Sequence, residues 1–351
     1  MDIVHHLLIY ECNRFTVFPD DNNLPDNICD YDNALNDGSE LCRTNTAAIW
    51  AVGGDLIEEF PEEAGYPVVG ESETKYYILE IHYNNERLVS GRRDNSGIRF
   101  YISPTLRSYD MGYLMFGSSS NALGLTIPPY NERFNVDSYC PAEVTKSFPN
   151  PKSGITGLTA YAHTHIQGRR VWTKLIRNNT AIQYLFNNEA FDFNYQFEHK
   201  LPARIQLYPG DEFATRCVYS TLNKNLITLG GEPTQNEMCA HTFSYYPKVN
   251  NLYSCRSEIS EKSWSTVYNG SYRFMVLMII KKFIEWLMNI KWTPDSISKW
   301  QDFYNKAEIT TTSGIAGYPI FSTLFIPKYK DLPPVECKKN NTKNMLRRLV
   351  T

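Results

Sequence analysis

The chain has 351 residues, 42% hydrophobic and 21% charged, with 35 Lys plus Arg against 38 Asp plus Glu and a formal net charge of -3. This globular profile is long enough for two ordinary domains and excludes a disordered acidic protein, a collagen and a coiled coil. The one basic block is the short run 338–348, so no nucleic-acid partner is expected.

From His5 to Glu258 the pattern is mostly β. Short runs rich in β-branched and aromatic residues predict strands over 76–83, 99–103, 191–197, 204–208 and 213–220, with Gly, Pro, Asn and Asp between them. Many short strands separated by turns indicate antiparallel sandwiches rather than a parallel α/β sheet. Gly53-Gly54 and Gly230-Gly231 are isolated pairs rather than a phosphate-cradling loop, which disfavours a nucleotide cofactor. A proline and polar residues between Pro104 and Met111 mark a domain boundary, and beyond about Arg256 the composition shifts toward helix and loop, ending in a Lys/Asn/Arg-rich tail expected to be mobile. The most apolar stretch, 274–292, is interrupted by Lys281, Lys282, Glu285 and Lys291, so no membrane span is expected. Its spacing of Phe274, Leu277, Met278, Ile280, Phe283, Trp286 and Leu287 predicts an amphipathic helix packed on a core, with membrane-surface docking as the competing role.

Eight Cys, none in a C-x-x-C arrangement, suit a few cross-linking disulfides better than structural zinc. With the sequons Asn178-Asn179-Thr180, Asn269-Gly270-Ser271 and Asn340-Asn341-Thr342 they favour an oxidising, secretory environment and a glycoprotein. Met1-Asp2-Ile3-Val4 has no signal-peptide character, so the expectation is that the chain lacks the N-terminus of a longer secretory protein.

Five of the seven His fall into three contexts: His5-His6, His82 in Glu80-Ile81-His82-Tyr83, and His163-Thr164-His165. Residues i and i+2 of a strand share a face, so His163 and His165 can present two imidazoles to one ion; an exposed polar strand is the plainer alternative. His5 and His6 point to opposite faces of a regular strand; joint ligation there needs a twist or bulge, and a surface pair is the plainer reading. Without an H-E-x-x-H helix, a Cys pair or an accompanying carboxylate ligand, zinc hydrolase and iron facial-triad chemistry lose ground, whereas imidazoles, with or without a thioether, suit copper that cycles through Cu(I). Met238 lies in Gln235-Asn236-Glu237-Met238-Cys239; for an isolated Met, core filling is the default.

His5-His6-Leu7-Leu8-Ile9-Tyr10-Glu11-Cys12, then Gly65-Tyr66-Pro67-Val68-Val69-Gly70-Glu71 leading into Tyr77-Ile78-Leu79-Glu80-Ile81-His82-Tyr83, then His163-Thr164-His165, then Glu237-Met238-Cys239 resemble, in order and spacing, the copper type II, ascorbate-dependent monooxygenases. The resemblance runs from His5 to about Cys255 and leans toward the dopamine β-monooxygenase-like, monooxygenase-X branch. It implies two antiparallel, jelly-roll-like β-sandwich copper domains, 1–108 (incomplete at its N-terminus) and 109–258, followed by a helix and loop extension, 259–351. It implies two coppers per chain, one per domain, across a wet cleft: His5, His6 and His82 for the electron-transfer copper, and His163, His165 and Met238 for the copper that meets O2 and substrate. Core filling is thereby set aside for Met238. The implied partners are ascorbate as electron donor, O2, and a small aromatic or amine substrate hydroxylated at an activated C–H, and the implied location is the secretory pathway.

His199 and His241 match no ligand position and are read as structural or surface residues. Peptidylglycine hydroxylases in this family anchor a substrate carboxylate with an Arg, an Asn and a Tyr where this chain has Tyr161, Ala240 and Thr242, so C-terminal glycine peptides are not expected substrates. The resemblance also implies the disulfides Cys12–Cys42, Cys140–Cys255 and Cys217–Cys239, and leaves Cys29 and Cys337 without partners. The short stretch before His5 would open a sheet edge of the first domain. The competing reading is therefore a catalytically impaired relative that binds at most one copper.

Overall fold

The computed structural model describes residues 3–12, 15–26, 28, 42, 45–68, 76–85, 89–149, 153–250, 252–268, 277–315 and 318–334. The elements run β1 (Val4–Glu11), β2 (Asn45–Ala51), β3 (Ala64–Gly65), β4 (Tyr77–Tyr83), β5 (Tyr109–Asp110), β6 (Gly112–Ser118), β7 (Thr126–Ile127) and β8 (Phe134–Cys140). A short helix α1 (Ala142–Thr145) leads to β9 (Ile155–His163), β10 (Gly168–Arg177), β11 (Thr180–Asn188), β12 (His199–Leu207), β13 (Glu212–Tyr219), β14 (Thr228–Leu229), β15 (Cys239–Tyr246) and β16 (Ser254–Ile259). Helices α2 (Glu261–Trp264), α3 (Leu277–Met288) and α4 (Pro294–Lys306) precede β17 (Glu308–Ile315) and β18 (Tyr318–Phe325).

The fold is mainly antiparallel β, as expected. A first sheet has the order β2-β1-β4; a four-stranded sheet, β11-β10-β13-β8, faces a seven-stranded one, β12-β9-β15-β6-β16-β17-β18. Nearly every residue of β9 (ITGLTAYAH) and β15 (CAHTFSYY) is buried, because both faces of this central pair are covered. On one face Ala160 and Phe243 pack with Leu175 and Phe213 of the four-stranded sheet. On the other Tyr161 packs with Ile49, Ala51 and Leu8 of the first sheet. This covering brings the histidine-bearing strands of the two units together.

Three disulfides join the expected pairs. Cys140–Cys255 ties β8 to β16, Cys217–Cys239 ties β13 to the start of β15, and Cys12–Cys42 closes the end of β1. Cys29, Cys337, the C-terminal tail, Val69 to Glu71, and the sequons at Asn269 and Asn340 lie outside the described residues.

Strands at 76–83, 204–208 and 213–220 are present within a residue or so, or as part of a longer strand. Two expected strands are absent. At 99–103 Phe100, Tyr101 and Ile102 are largely exposed and have no neighbouring strand, so β-propensity finds no partner to act through. At 191–197 the alternation is broken by a turn: Asp192 accepts the Asn194 N–H through its side chain and that of Tyr195 through its carbonyl, each at 2.9 Å.

The extension carries the expected amphipathic helix, α3, whose Phe283 and Leu287 are buried beside Trp264 and Trp300 while Lys281, Lys282 and Glu285 face solvent. Among the described residues no helix is long and apolar enough to cross a membrane. Helix α4 starts at a capping box between Thr293 and Ser296 with Pro294 in its first turn, and docks through Tyr304 and Trp300, which bond the backbone N–H and C=O of Thr126. Beyond what the sequence suggested, the extension also supplies β17, which pairs with β16 through five residues, and β18, which pairs with β17. Leu287→Ala should cost about 2–5 kcal/mol in chemical denaturation; Glu285→Ala, on the solvated face, should stay within about 0.5 kcal/mol of the parent.

Candidate metal centre

The required irregularity is present at His5. In the β1–β4 ladder Val4 pairs with Tyr83 and His6 with His82, so His5 is the extra residue of a bulge. The bulge turns the two adjacent imidazoles toward each other, with Nδ1 of His5 and Nδ1 of His6 3.0 Å apart. Two imidazole–metal bonds of about 2.0–2.1 Å with that separation enclose an angle of about 95°, a usable bite for one ion. His82 stacks on His6 with ring centroids 3.9 Å apart.

His163 ends β9, and His165 follows on the same side. The turn that returns the chain into β10 places Gly168 where a Cβ would overlap the Thr164 hydroxyl. In the β9–β15 ladder His163 pairs with Ala240 and Tyr161 with Thr242; the ladder ends there, and its register continued by two residues would set Met238 opposite His165. Tyr161, His163, Ala240 and Thr242 thus share the face turned to the first sheet, where His6 and His163 ring centroids are 5.4 Å apart.

The wet cleft implied by the resemblance is therefore closed here. His5, His6, His163 and His165 are all buried, and the Tyr161 contact with Ile49 and Ala51 draws the sheets together. The two expected ligand sets meet as one cluster of five imidazoles rather than facing each other across water.

His5, His82, His163 and His165 each have one ring nitrogen committed to an acceptor. Nδ1 of His163 contacts the Gln196 side-chain oxygen at 2.6 Å, and Nδ1 of His165 the Asn236 carbonyl at 2.9 Å. Both acceptors need an N–H, which leaves Nε2 as the lone-pair donor in this second set. In the first set the pattern reverses: Nε2 of His5 reaches the Phe193 carbonyl at 3.2 Å and Nε2 of His82 bonds the Glu80 carboxylate, leaving Nδ1. Burial, reinforced by neighbouring imidazoles, holds His6 and His163 well below the usual histidine range, and burial holds His165 at about 4. Those three rings are therefore neutral, as ligands must be.

Glu237 straps the second set. Its carboxylate is fully buried and accepts the backbone N–H of His165 at 2.8 Å, of Gln167 at 2.6 Å and of Met238 at 3.3 Å, and burial pushes its carboxyl up to about 7 against the pull of those three bonds. Tyr219 donates to the Met238 carbonyl at 2.7 Å, and the Cys217–Cys239 bridge anchors the next residue.

This donor chemistry fits copper: imidazoles with fixed tautomers, and a thioether at Met238, next to the Glu237 that bonds the His165 backbone. Among the described residues no three His, Cys, Asp or Glu side chains already converge on one point, so the stacked His82 ring has to turn to join His5 and His6. His199 and His241 stand apart, as read from the sequence. His241 is buried inside the sandwich with Nδ1 2.7 Å from the Thr173 hydroxyl, and His199 packs in a tilted contact on Phe197.

Sequence reasoning gave no role to Glu80, Phe193, Gln196 or Glu237. Glu80 could have been found two residues before His82 on its strand face, and Glu237 beside Met238; Gln196 and Phe193 sit in the turn that read as a strand. Gln196→Ala should lower Cu(I) affinity by about 10–100-fold in a competition titration, as loss of an orienting partner does, while Gln206→Ala, remote on β12, should leave it unchanged.

The N-terminal domain family of the copper type II ascorbate-dependent monooxygenases matches residues 1–90, and the C-terminal domain family matches 109–267. DBH-like monooxygenase protein 2 of Mus musculus is 33% identical over 307 residues, covering 85% of this chain and 46% of that protein. Dopamine beta-hydroxylase of Canis lupus familiaris is 33% identical over 263 residues, 73% of this chain and 40% of its own length. Tyramine beta-hydroxylase of Caenorhabditis briggsae is 31% identical over 269 residues, 74% and 42% respectively. The chain spans less than half the length of these relatives. With both domain families matched in order, the chain belongs to the copper type II ascorbate-dependent monooxygenases, on the side of the DBH-like proteins.

Proposed function

We propose that the chain is a copper- and ascorbate-dependent monooxygenase that hydroxylates an activated C–H of a small aromatic or amine substrate with O2. His5, His6 and His82 hold one copper and His163, His165 and Met238 the other, two per chain, in domains 1–108 and 109–258, with 259–351 buttressing the second. Bound copper supplies one-electron exchange with ascorbate and reductive activation of O2.

The protein's own work is orientation. Gln196 and the Asn236 carbonyl keep the Nδ1 protons of His163 and His165, so Nε2 of each would be the nitrogen to hold a copper; Glu80 and the Phe193 carbonyl do the converse for His82 and His5. Glu237 fixes the Met238 strand to His165, and burial of the rings excludes water. The observation that carries this reading is the pairing of every one of these tautomer-setting contacts with a family ligand position.

Two relatives are named for dopamine and tyramine, both aromatic amines, which supports that substrate class. The face beside His163 offers Tyr161, Ala240 and Thr242, with no cation for a substrate carboxylate at these three positions. Passage through the secretory pathway follows from the disulfides and the DBH-like relatives, and Asn178, exposed at the β10–β11 hairpin tip, is the described sequon suited to glycosylation.

Reconstituted protein should bind two coppers and show ascorbate-driven O2 consumption with an arylethylamine. Met238→Ile should abolish consumption and leave the first copper bound. One copper in the parent protein would select the impaired relative instead, and none would contradict both readings.

A further inference from the structure

A cleft of about 490 Å³ lies where the end of the four-stranded sheet meets β18 of the extension. In the β8–β13 ladder Tyr139 pairs with Ala214, so Tyr139 and Glu212, two residues before Ala214, share one face and form the floor. Glu143 of α1 borders it. The facing wall is β18, with Ser322, Leu324 and Phe325, continued by Pro327. Beyond that proline the chain is fixed to the sheet, because Lys330 exchanges backbone hydrogen bonds with Asn179 and Ala181 and Asp331 bonds Lys174 at 2.6 Å.

The polar groups of this cleft lack partners. Tyr139 is only 1% exposed, yet its hydroxyl is buried without a hydrogen bond. Burial, then the Glu212 carboxylate beside it, raises the phenol above the usual tyrosine range, but the two do not close a bond of good geometry. Cations on the adjoining strands are engaged elsewhere: Lys174 with Asp331, Arg177 with Asp211 and Arg216 with Asp137. Among the described residues neither Glu143 nor Glu212 has an ion-pair partner. A buried hydroxyl left open beside two uncompensated carboxylates calls for a cation that carries N–H donors.

Size and lining decide which cation. Calcium takes about 6–8 oxygen ligands, and two carboxylates with two hydroxyls fall short of that. The volume instead lies in the range of organic-ligand sites, about 300–1,000 Å³, and Leu324, Phe325 and the two prolines Pro141 and Pro327 supply hydrocarbon contact. We propose that this cleft binds a small organic amine, its ammonium held by Glu143, Glu212 and the Tyr139 hydroxyl and its hydrocarbon laid against Leu324, Phe325 and Pro327. The amine joins the sheet to the extension, so its binding stabilises their docking. This site is separate from the expected copper ligands. Glu212 begins β13 and Tyr219, which bonds the Met238 carbonyl, ends it, and seven residues of strand set them about 23 Å apart.

Isothermal titration of the full metal-free chain with phenethylamine tests the assignment. The parent should bind it, and Glu143→Gln and Glu212→Gln should each weaken binding by about tenfold or more, as loss of a charged hydrogen-bond partner does. Glu143 is exposed, so its variant carries the test alone if Glu212→Gln does not fold. Tyr139→Phe should also weaken binding while leaving the metal-free chain at least as stable to heat, because it removes an orphaned hydroxyl. Saturating amine should raise the unfolding midpoint of the parent. Undiminished affinity in Glu143→Gln, equal binding of phenylpropionate, or displacement of the amine by calcium at matched ionic strength overturns the proposal. Copper stoichiometry should be the same in all three variants as in the parent, so failure here and failure of the copper reading are told apart.

Discussion

A buried imidazole can offer a lone pair to a metal only if its other nitrogen has somewhere to put a proton, and the structure around this centre follows from that constraint. Four acceptors meet it: the Phe193 carbonyl, the Glu80 carboxylate, the Gln196 side chain and the Asn236 carbonyl. Two of them lie in the 191–197 turn, which belongs to neither ligand strand. The turn is itself pinned to the first unit, since the Gln196 N–H donates to the Val52 carbonyl at 3.1 Å. One short segment therefore sets tautomers in both histidine sets and joins the units that carry them.

That dual duty explains why the contact between units is polar as well as apolar. Lys248, just beyond β15, reaches Glu11 of β1 at 3.0 Å, and Glu11 also accepts from the Tyr66 hydroxyl at 2.7 Å and from Asn45. A buried pair of this kind adds little net stability over an apolar contact, but it penalises any arrangement in which one charge is left alone. It specifies how the first sheet sits on the second, and so how far His6 lies from His163. The extension widens the seven-stranded sheet with β17 and β18 and buries α3 and α4 in a core shared with β8 of the four-stranded one.

The strand-face spacing of His163 and His165 and the bulge that a shared orientation of His5 and His6 needs were legible in the residues alone, whereas the grouping of these histidines with His82 and Met238 into expected ligand sets came only through family resemblance. The disulfide partners were legible only through family resemblance. The orienting residues were not, since a hydrogen bond from Gln196 to His163 joins positions 33 residues apart with no spacing rule. The 191–197 alternation misled because an Asp side chain capping its own turn competes with strand pairing, a contest that residue type alone does not decide. The strands of the extension were missed for a related reason: β17 forms where β16 offers an open edge, and that edge exists only in the folded sheet.

Copper-edge X-ray absorption of the fully loaded, ascorbate-reduced protein tests the central claim most directly. The account predicts imidazole nitrogens at about 2.0 Å around both ions and a sulfur scatterer for half of the copper that disappears in Met238→Ile. A parent spectrum without sulfur, or a sulfur shell that survives that substitution, would contradict it.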